Sequence, residues 1–277
     1  MDEFFFQTTV NIFPIFTKKQ NEKHFVGMKN QLYLPILCMF VILFFGCEAA
    51  PQKASPKEEE KEIISTPSVE KKSDAPIARF QNEIDNFIKQ DKENGFVKNG
   101  IMMTGSSSIR MWTSMEEDFS SLPVLNRGFG GSTIPDVLHF AGKYIFQHEP
   151  QIIVFYCGEN DISEGASPET VFASFKIFVK IIEERLPETK LVYISMKPSI
   201  ARWDLWPQYQ VGEKMIKDFV DKNPKIEYMD ASISMLEENG EVKKDIFIED
   251  GLHMNAKGYE GWTKQLKPIL EKLYQLK

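Results

Sequence analysis

Apolar and polar positions along the chain follow two alternating patterns from about residue 79 onward. Phe80, Ile84, Phe87 and Ile88 recur at helical spacing. After Gly95, short apolar runs predict strands over residues 100–104, 123–126, 151–157, 190–196 and 226–229. Longer amphipathic runs between them predict helices over residues 136–148, from 167, over 208–222, and from 255 to the end. Ser167 and Asn255 are predicted to be the N-caps of the second and the last of these helices. Strands separated by helices imply right-handed crossovers, a parallel sheet and helices on both of its faces.

The first part of the chain has a different pattern. Residues 32–46 are apolar throughout and follow Lys29. This run is too short to cross a bilayer comfortably as a helix, and it resembles the hydrophobic region of a secretory signal. Gly46 directly precedes Cys47, as in the lipobox of bacterial lipoproteins. Residues 1–46 are therefore predicted to be an N-terminal extension and lipoprotein-type signal, with Cys47 as the acylated residue; an uncleaved anchor and a plain cleaved signal remain open.

A polar segment separates this signal from the folded part. Residues 47–78 contain the run KEEEKE with scattered Ser, Pro and Ala, and few large apolar residues. Such a composition cannot bury a core, so the segment is predicted to be a disordered tether. Residues 79–277 then form one folded domain. We expect an exported protein of the bacterial cell envelope, held to the membrane by an N-terminal lipid on the periplasmic or surface side.

Charge and cysteine content narrow the possible partners. The formal net charge is −7 and no basic patch is visible, which argues against nucleic acid as a partner. Cys38 lies in the signal and Cys47 at its end, so Cys157 is the single thiol of the predicted mature chain and no disulfide is expected. The neighbours of Cys157 are apolar, which indicates a buried structural residue.

Small and polar residues follow each predicted strand. In an open parallel sheet, the carboxyl ends of the strands form the edge at which ligands bind. The segments at this edge are Gly105-Ser106-Ser107-Ser108, residues 126–133, Gly158-Glu159-Asn160-Asp161, Lys197-Pro198 and Asp250-Gly251-Leu252-His253.

Each of these segments by itself has an ordinary structural explanation. A Gly-Ser-rich turn is usually only a turn, Asn160 and Asp161 can cap a helix, and Asp250 and His253 can form a local pair. Residues 128–133 are similar to a dinucleotide-binding loop, but Thr133 stands where the third glycine is needed.

Taken together, the segments meet the needs of nucleophilic catalysis. A serine nucleophile needs a base, the base needs an orienting acid, and the oxyanion needs hydrogen-bond donors. His24 precedes the signal, and His139 and His148 lie in a helical segment. His253 is the remaining histidine, and it has an acidic residue close by in a loop.

Four of these segments carry a resemblance. Gly105-Ser106-Ser107, residues 126–133 with Gly131, residues 158–161 and residues 250–253 resemble, in order, the sequence blocks of the SGNH or GDSL-like hydrolases. The resemblance covers about residues 100–265. It implies a flavodoxin-like three-layer α/β/α fold with a five-stranded parallel sheet, and hydrolysis of acyl esters without metal or cofactor.

The resemblance also implies a role for individual positions. Ser107 is expected to be the nucleophile, His253 the general base and then acid, and Asp250 the residue that orients His253. The backbone N–H groups of Ser107 and Gly131 and the side-chain amide of Asn160 are expected to form the oxyanion hole.

One position departs from the family pattern. The usual Gly-Asp-Ser block has aspartate where this chain has Ser106, so any hydrogen bonds made by that carboxylate must be replaced. The serine triplet also leaves Ser106 and Ser108 as alternative nucleophiles. Arg202, Trp203 and Trp206 could wall the substrate site, although indole rings in a loop pack against their own scaffold as often.

The sequence leaves the substrate and one alternative function open. Short-chain esters, O-acetyl groups on carbohydrates and lysophospholipids are all compatible with the four blocks, so the expected partner is a small-molecule, glycan or lipid ester. A non-catalytic surface lipoprotein that binds glycan or protein through the same fold is the alternative. The Gly-x-Ser-x-Gly pattern of the other large class of serine hydrolases is absent.

Overall fold

The predicted strands form a single sheet in the computed structural model, which describes residues 78–274. The predicted signal (residues 1–46), Cys47 and almost all of the predicted tether lie outside the described residues. The strands are β1 (Ile101–Gly105), β2 (Val124–Gly128), β3 (Ile152–Tyr156), β4 (Lys190–Ile194) and β5 (Ile226–Met229).

Helices connect these strands, as the apolar spacing predicts. They are α1 (Gln81–Asn94), α2 (Ser107–Arg110), α3 (Met115–Asp118), α4 (Ile134–Tyr144), α5 (Glu159–Ser163), α6 (Pro168–Arg185), α7 (Trp206–Val220), α8 (Ser232–Met235) and α9 (Ala256–Leu273). The helix predicted over residues 136–148 is interrupted, because a 3-10 turn, Phe146–His148, follows α4. Within residues 78–274, no helix has both the length and the apolar character required to span a bilayer.

All neighbouring strands are parallel, in the order β2-β1-β3-β4-β5. β1 is paired on both sides, with Gly105 opposite Gly128 of β2 and Tyr156 of β3. The segments after β1, β2, β3 and β4 therefore emerge at the same edge of the sheet. β2 reaches Gly128, two residues further than predicted.

The side chains of each strand alternate between two cores. In β3, Ile153 and Phe155 pack in the core beneath α1, α4, α6 and α7. Val154 and Tyr156 face the other core, which contains Trp262 of α9. Because both faces of the sheet are covered, its strands are apolar throughout rather than alternating in sequence. The predicted three-layer α/β/α architecture with a five-stranded parallel sheet is confirmed.

Side-chain caps begin three of the helices. The Thr133 hydroxyl accepts the N–H of Asp136, and the Asp136 carboxylate accepts the N–H of Thr133, which forms a capping box at α4. Ser167 caps α6 ahead of Pro168, and Asn255 caps α9, as predicted. Each cap begins a helix close to the carboxyl edge of the sheet.

A buried carboxylate lies where α7 packs on β4 and β5. Glu213 accepts hydrogen bonds from Tyr193 Oη (2.9 Å), Tyr228 Oη (2.8 Å) and the backbone N–H of Met196 (2.7 Å). Burial raises the pKa of Glu213 to about 7, and the three hydrogen bonds only partly offset this effect. At pH values between its ordinary pKa and about 7, the carboxyl group therefore takes up a proton when the chain folds.

We predict that Glu213→Gln flattens the dependence of stability on pH. The folded state holds a proton at Glu213 that the unfolded chain has released, so the free energy of unfolding falls as pH rises from about 4.5 to 7. Over this pH range, the free energy of unfolding should fall by about 3 kcal/mol less in the variant than in the wild type. Urea unfolding at several pH values measures it, with the exposed Glu184→Gln as the matched control; equal slopes for Glu213→Gln and wild type would contradict the prediction.

Candidate active site

The turn after β1 can be made only by glycine. Gly105 has φ of 123°, and a Cβ atom at this position would lie 1.9 Å from the carbonyl oxygen of Tyr156. The Gly105 carbonyl accepts the N–H of Phe129 and the hydroxyl of Ser132, at 3.0 and 3.1 Å. This close approach joins the turn to β3 and to the loop after β2, and it places Ser107 at the start of α2 on the sheet edge.

Only one serine of the triplet contacts a histidine. The Ser107 Oγ lies 2.8 Å from His253 Nε2. Ser106 and Ser108 are buried, at 3% and 1% exposure, whereas Ser107 is half-buried beside a cleft. Of the three serines, Ser107 is therefore the one whose hydroxyl lies beside both a histidine and the cleft.

His253 is held from its other side by Asp250. The distance from His253 Nδ1 to Asp250 Oδ2 is 2.6 Å, and Asp250 Oδ1 accepts the backbone N–H groups of Leu252 (2.8 Å) and His253 (2.9 Å). Partial burial alone would raise the pKa of Asp250, but these hydrogen bonds lower it to about 2. The ionised carboxylate favours the proton on Nδ1, which leaves Nε2 free to accept the Ser107 hydroxyl.

Ser107, Gly131 and Asn160 each have an N–H group that lacks a hydrogen-bond acceptor in the part of the chain that the structure describes. Within residues 78–274, the backbone N–H groups of Ser107 and Gly131 donate to no acceptor. Gly131 has φ of 74°, a backbone conformation that favours glycine. A Cβ atom at this position would have no atom of the described residues within 4 Å beyond its chain neighbours, so the backbone angle and not crowding favours glycine here. Asn160 Nδ2 donates to the Ser132 carbonyl at 2.9 Å. Because a side-chain amide has two N–H groups, one of them is left for a ligand.

A cleft of about 370 Å³ opens above these groups. Most of its lining residues are of polar or charged types, two are glycines, and Leu252 is the one aliphatic residue among them. The cleft is lined by Glu83, Ser107, Arg110, Gly130, Gly131, Asn160, Arg202, Leu252 and His253.

The structure separates the three residues predicted as possible walls of the substrate site. Arg202 lines the cleft, and one of its terminal nitrogens donates to Asn160 Oδ1 at 3.0 Å. Trp203 and Trp206 do not line it. Their rings stack on each other with centroids 6.3 Å apart, and Trp206 also packs edge-on against Tyr209. Of the three residues predicted as possible walls, Trp203 and Trp206 are therefore absent from the lining of this cleft and Arg202 is present.

Sequence reasoning missed Glu83 and Arg110 in the cleft. Glu83 Oε1 accepts the N–H of Gly130 at 3.2 Å and lies 3.7 Å from an Arg110 nitrogen. Arg79, just before α1, donates to the Gly131 carbonyl at 3.1 Å. These contacts tie α1 to the loop after β2 across about 50 positions of sequence, and no local pattern could indicate them.

A buried ion pair lies beside the site. Lys197 Nζ is 3.1 Å from both carboxylate oxygens of Glu159, and both side chains are 5% exposed or less. The Tyr156 hydroxyl donates to the same carboxylate. Burial lowers the pKa of Lys197, while the negative charge of Glu159 opposes this shift. The position of Lys197 directly after an apolar strand was the one sequence signal of this pair.

Two further residues of the edge are structural. The Asp161 carboxylate accepts the backbone N–H of Ile134 (3.1 Å) at the start of α4, and burial raises its pKa to about 7. The thiol of Cys157 is buried and donates to the Ser132 carbonyl at 3.4 Å, as expected of a structural cysteine. Both side chains therefore hold the loop that carries Gly131 and the turn that carries Asn160.

The comparison with protein families decides the assignment. Residues 104–260, more than half of the chain, match the GDSL-like Lipase/Acylhydrolase family. The chain belongs to this family. As a GDSL-like acylhydrolase it is a hydrolase that acts on esters. The family assignment favours this activity over the non-catalytic binding protein considered above.

Individual relatives are distant. The chain is 25% identical to platelet-activating factor acetylhydrolase IB subunit alpha1 of Homo sapiens over 179 residues, which are 62% of this chain and 76% of that protein. A GDSL-like lipase from Bacteroides thetaiotaomicron has the same fold, with a TM-score of 0.57, 19% identity and coverage of 72% of this chain and 99% of that one. A carbohydrate esterase family 3 structure from Talaromyces cellulolyticus gives a TM-score of 0.51 at 19% identity, over 63% and 97% of the two chains.

We predict that Lys197→Met destabilises the protein by about 3–5 kcal/mol, because it leaves the Glu159 carboxylate buried without its partner. The double variant Glu159→Gln/Lys197→Met removes both charges and should recover much of this loss. Urea unfolding near neutral pH measures both. Lys214→Met, which breaks an exposed pair with Asp218, serves as the control and should cost less than about 1 kcal/mol. A double variant as unstable as Lys197→Met would contradict the prediction.

Proposed function

We propose that this GDSL-like acylhydrolase is a serine esterase that works through Ser107, His253 and Asp250. The observation that supports the proposal is the continuous hydrogen-bonded chain of the three side chains, with distances of 2.8 Å between Ser107 and His253 and 2.6 Å between His253 and Asp250. In this geometry a neutral imidazole is oriented to accept the serine proton.

The reaction then runs in two halves. Ser107 Oγ attacks the ester carbonyl carbon while His253 Nε2 takes its proton, and Asp250 stabilises the resulting imidazolium. The carbon–oxygen bond to the alcohol breaks as His253 returns the proton to the leaving oxygen, which leaves an acyl-enzyme. Water attacks this ester with His253 again as base, and the acid is released with Ser107 restored.

The oxyanion of each tetrahedral intermediate needs donors that are already in place. The backbone N–H groups of Ser107 and Gly131 and the free Nδ2–H of Asn160 are suited to this role, since no acceptor within residues 78–274 takes them. Donors arranged before the reaction stabilise developing charge without reorganisation.

The cleft favours a small acyl group on a polar alcohol. A long acyl chain gains about 0.8 kcal/mol for each buried methylene, but Leu252 is the one aliphatic side chain lining the cleft. Arg110 and Glu83 supply polar groups for the alcohol portion instead. The names of the acetylhydrolase and carbohydrate esterase relatives agree with this preference. We therefore favour short-chain or O-acetyl carbohydrate esters over lysophospholipids, with no cofactor.

Substitution of the catalytic side chains tests the mechanism. We predict that Ser107→Ala and His253→Ala lower kcat on p-nitrophenyl acetate by at least about 10³-fold while the protein stays folded. Ser106→Ala is the matched control within the same turn and should retain most of the activity. A fluorophosphonate probe should label Ser107, as mapped by peptide mass spectrometry. Labelling of another serine, or an active Ser107→Ala variant, would reject the assignment.

The same assay extended to an ester series tests the substrate class. Activity should be highest on acetate and fall from butyrate to octanoate, and O-acetylated carbohydrates should release acetate. Faster turnover of lysophospholipid than of every acetyl ester would reject the short-acyl preference while leaving the catalytic assignment intact.

We further propose that the enzyme is exported and anchored through an acylated Cys47, as the sequence of residues 32–47 suggests. Cys47→Ser should abolish incorporation of radiolabelled palmitate and move the protein out of the detergent phase in Triton X-114 partitioning. Cys38→Ser, a substitution within the apolar run, is the control and should leave both unchanged. Palmitate incorporation that persists in Cys47→Ser would show that Cys47 is not the acceptor.

A further inference from the structure

Asn160 is held at both ends of its side-chain amide. Its Nδ2 donates to the Ser132 carbonyl at 2.9 Å, and its Oδ1 accepts from Arg202 at 3.0 Å. A backbone carbonyl can only accept and a guanidinium can only donate. A flip of the amide would therefore set two donors against each other at Arg202 and two acceptors at Ser132. The two contacts together define which way the amide points.

The segment that carries Arg202 is attached to both halves of the site. At its start, Lys197 forms the buried pair with Glu159, the residue directly before Asn160. Near its end, the N–H of Ala201 donates to the Gly251 carbonyl at 3.0 Å, within the loop that carries Asp250 and His253. The guanidinium is thus positioned by its own segment and does not depend on a substrate.

From these contacts we propose that Arg202 is a positioning residue for the oxyanion hole. It holds the Asn160 amide in the orientation that presents the free Nδ2–H to the cleft. Its positive charge at Oδ1 also polarises the amide and strengthens Nδ2–H as a donor when negative charge develops on the substrate oxygen. This inference rests on the proposed esterase function, in which Asn160 is an oxyanion donor.

An arginine on the cleft wall has a second possible role, which is to bind an anionic group of the substrate. The two roles predict different kinetics. A residue that acts through the oxyanion hole lowers kcat on neutral and anionic esters alike. A residue that binds a substrate anion raises KM, and only for esters that carry the anion.

A double-mutant cycle between Arg202 and Asn160 separates these roles. In the full-length protein, Arg202→Met should lower kcat on p-nitrophenyl acetate by about 10-fold or more, with KM little changed, since losing one oxyanion donor costs about 10²–10³-fold. In the Asn160→Ala background, Arg202→Met should have little further effect, because its target is already gone. Arg202→Lys keeps a charged donor and should restore part of the activity.

Arg110→Met is the matched control, because Arg110 also lines the cleft but its guanidinium lies beside Glu83 and Gly130. Arg110→Met should change kcat by the same factor in the wild-type and Asn160→Ala backgrounds, whatever that factor is. Mono-p-nitrophenyl succinate serves as the anionic ester, and near-UV circular dichroism reports the folding of every variant.

The outcomes separate this inference from the function on which it rests. Equal effects of Arg202→Met in the wild-type and Asn160→Ala backgrounds, or a loss confined to KM for the succinate ester, would overturn the positioning role while Ser107 remains the nucleophile. A wild-type protein that hydrolyses no ester would overturn both.

Discussion

The site depends on the contact between Gly105 and the backbone of Tyr156. At this point the chain leaves β1 so close to β3 that a side chain of any size would collide with a carbonyl oxygen 1.9 Å away. The same glycine accepts hydrogen bonds from Phe129 and Ser132 of the loop after β2. One turn therefore sets the relative positions of three strand ends. Ser107, the loop that carries Gly131 and the turn that carries Asn160 are all positioned with respect to it.

This backbone arrangement also explains how the turn tolerates Ser106 in place of the family aspartate. The N–H of Ser106 donates to the Tyr156 carbonyl at 2.9 Å, and its own carbonyl accepts the N–H groups of Ile109 and Arg110. These hydrogen bonds hold the turn through main-chain atoms. They do not require a carboxylate at this position.

Residues on the carboxyl side of the sheet carry a concentration of buried polar groups. Lys197 pairs with Glu159, Asp161 holds the start of α4, and Glu213 collects three hydrogen bonds next to Met196. Burying such groups costs free energy unless each is satisfied, and a pair of this kind is weak evidence for net stability. Their shared effect is geometric, because each joins a segment at this edge of the sheet to a neighbouring strand or helix through directional contacts.

The sequence by itself determined the layered fold and indicated which segments lie at the carboxyl edge of the sheet, in their order along the chain. Apolar periodicity and capping residues act over a few positions, so strands, helices and caps such as Ser167 and Asn255 could be predicted locally. Only the tertiary structure showed that Ser107 is the serine of its triplet beside His253, and that Arg202, Glu83 and Arg110 line the cleft. Those contacts join positions about 40 to 150 apart in sequence. They depend on how the elements pack, and the local spacing of residue types along the chain does not predict that packing.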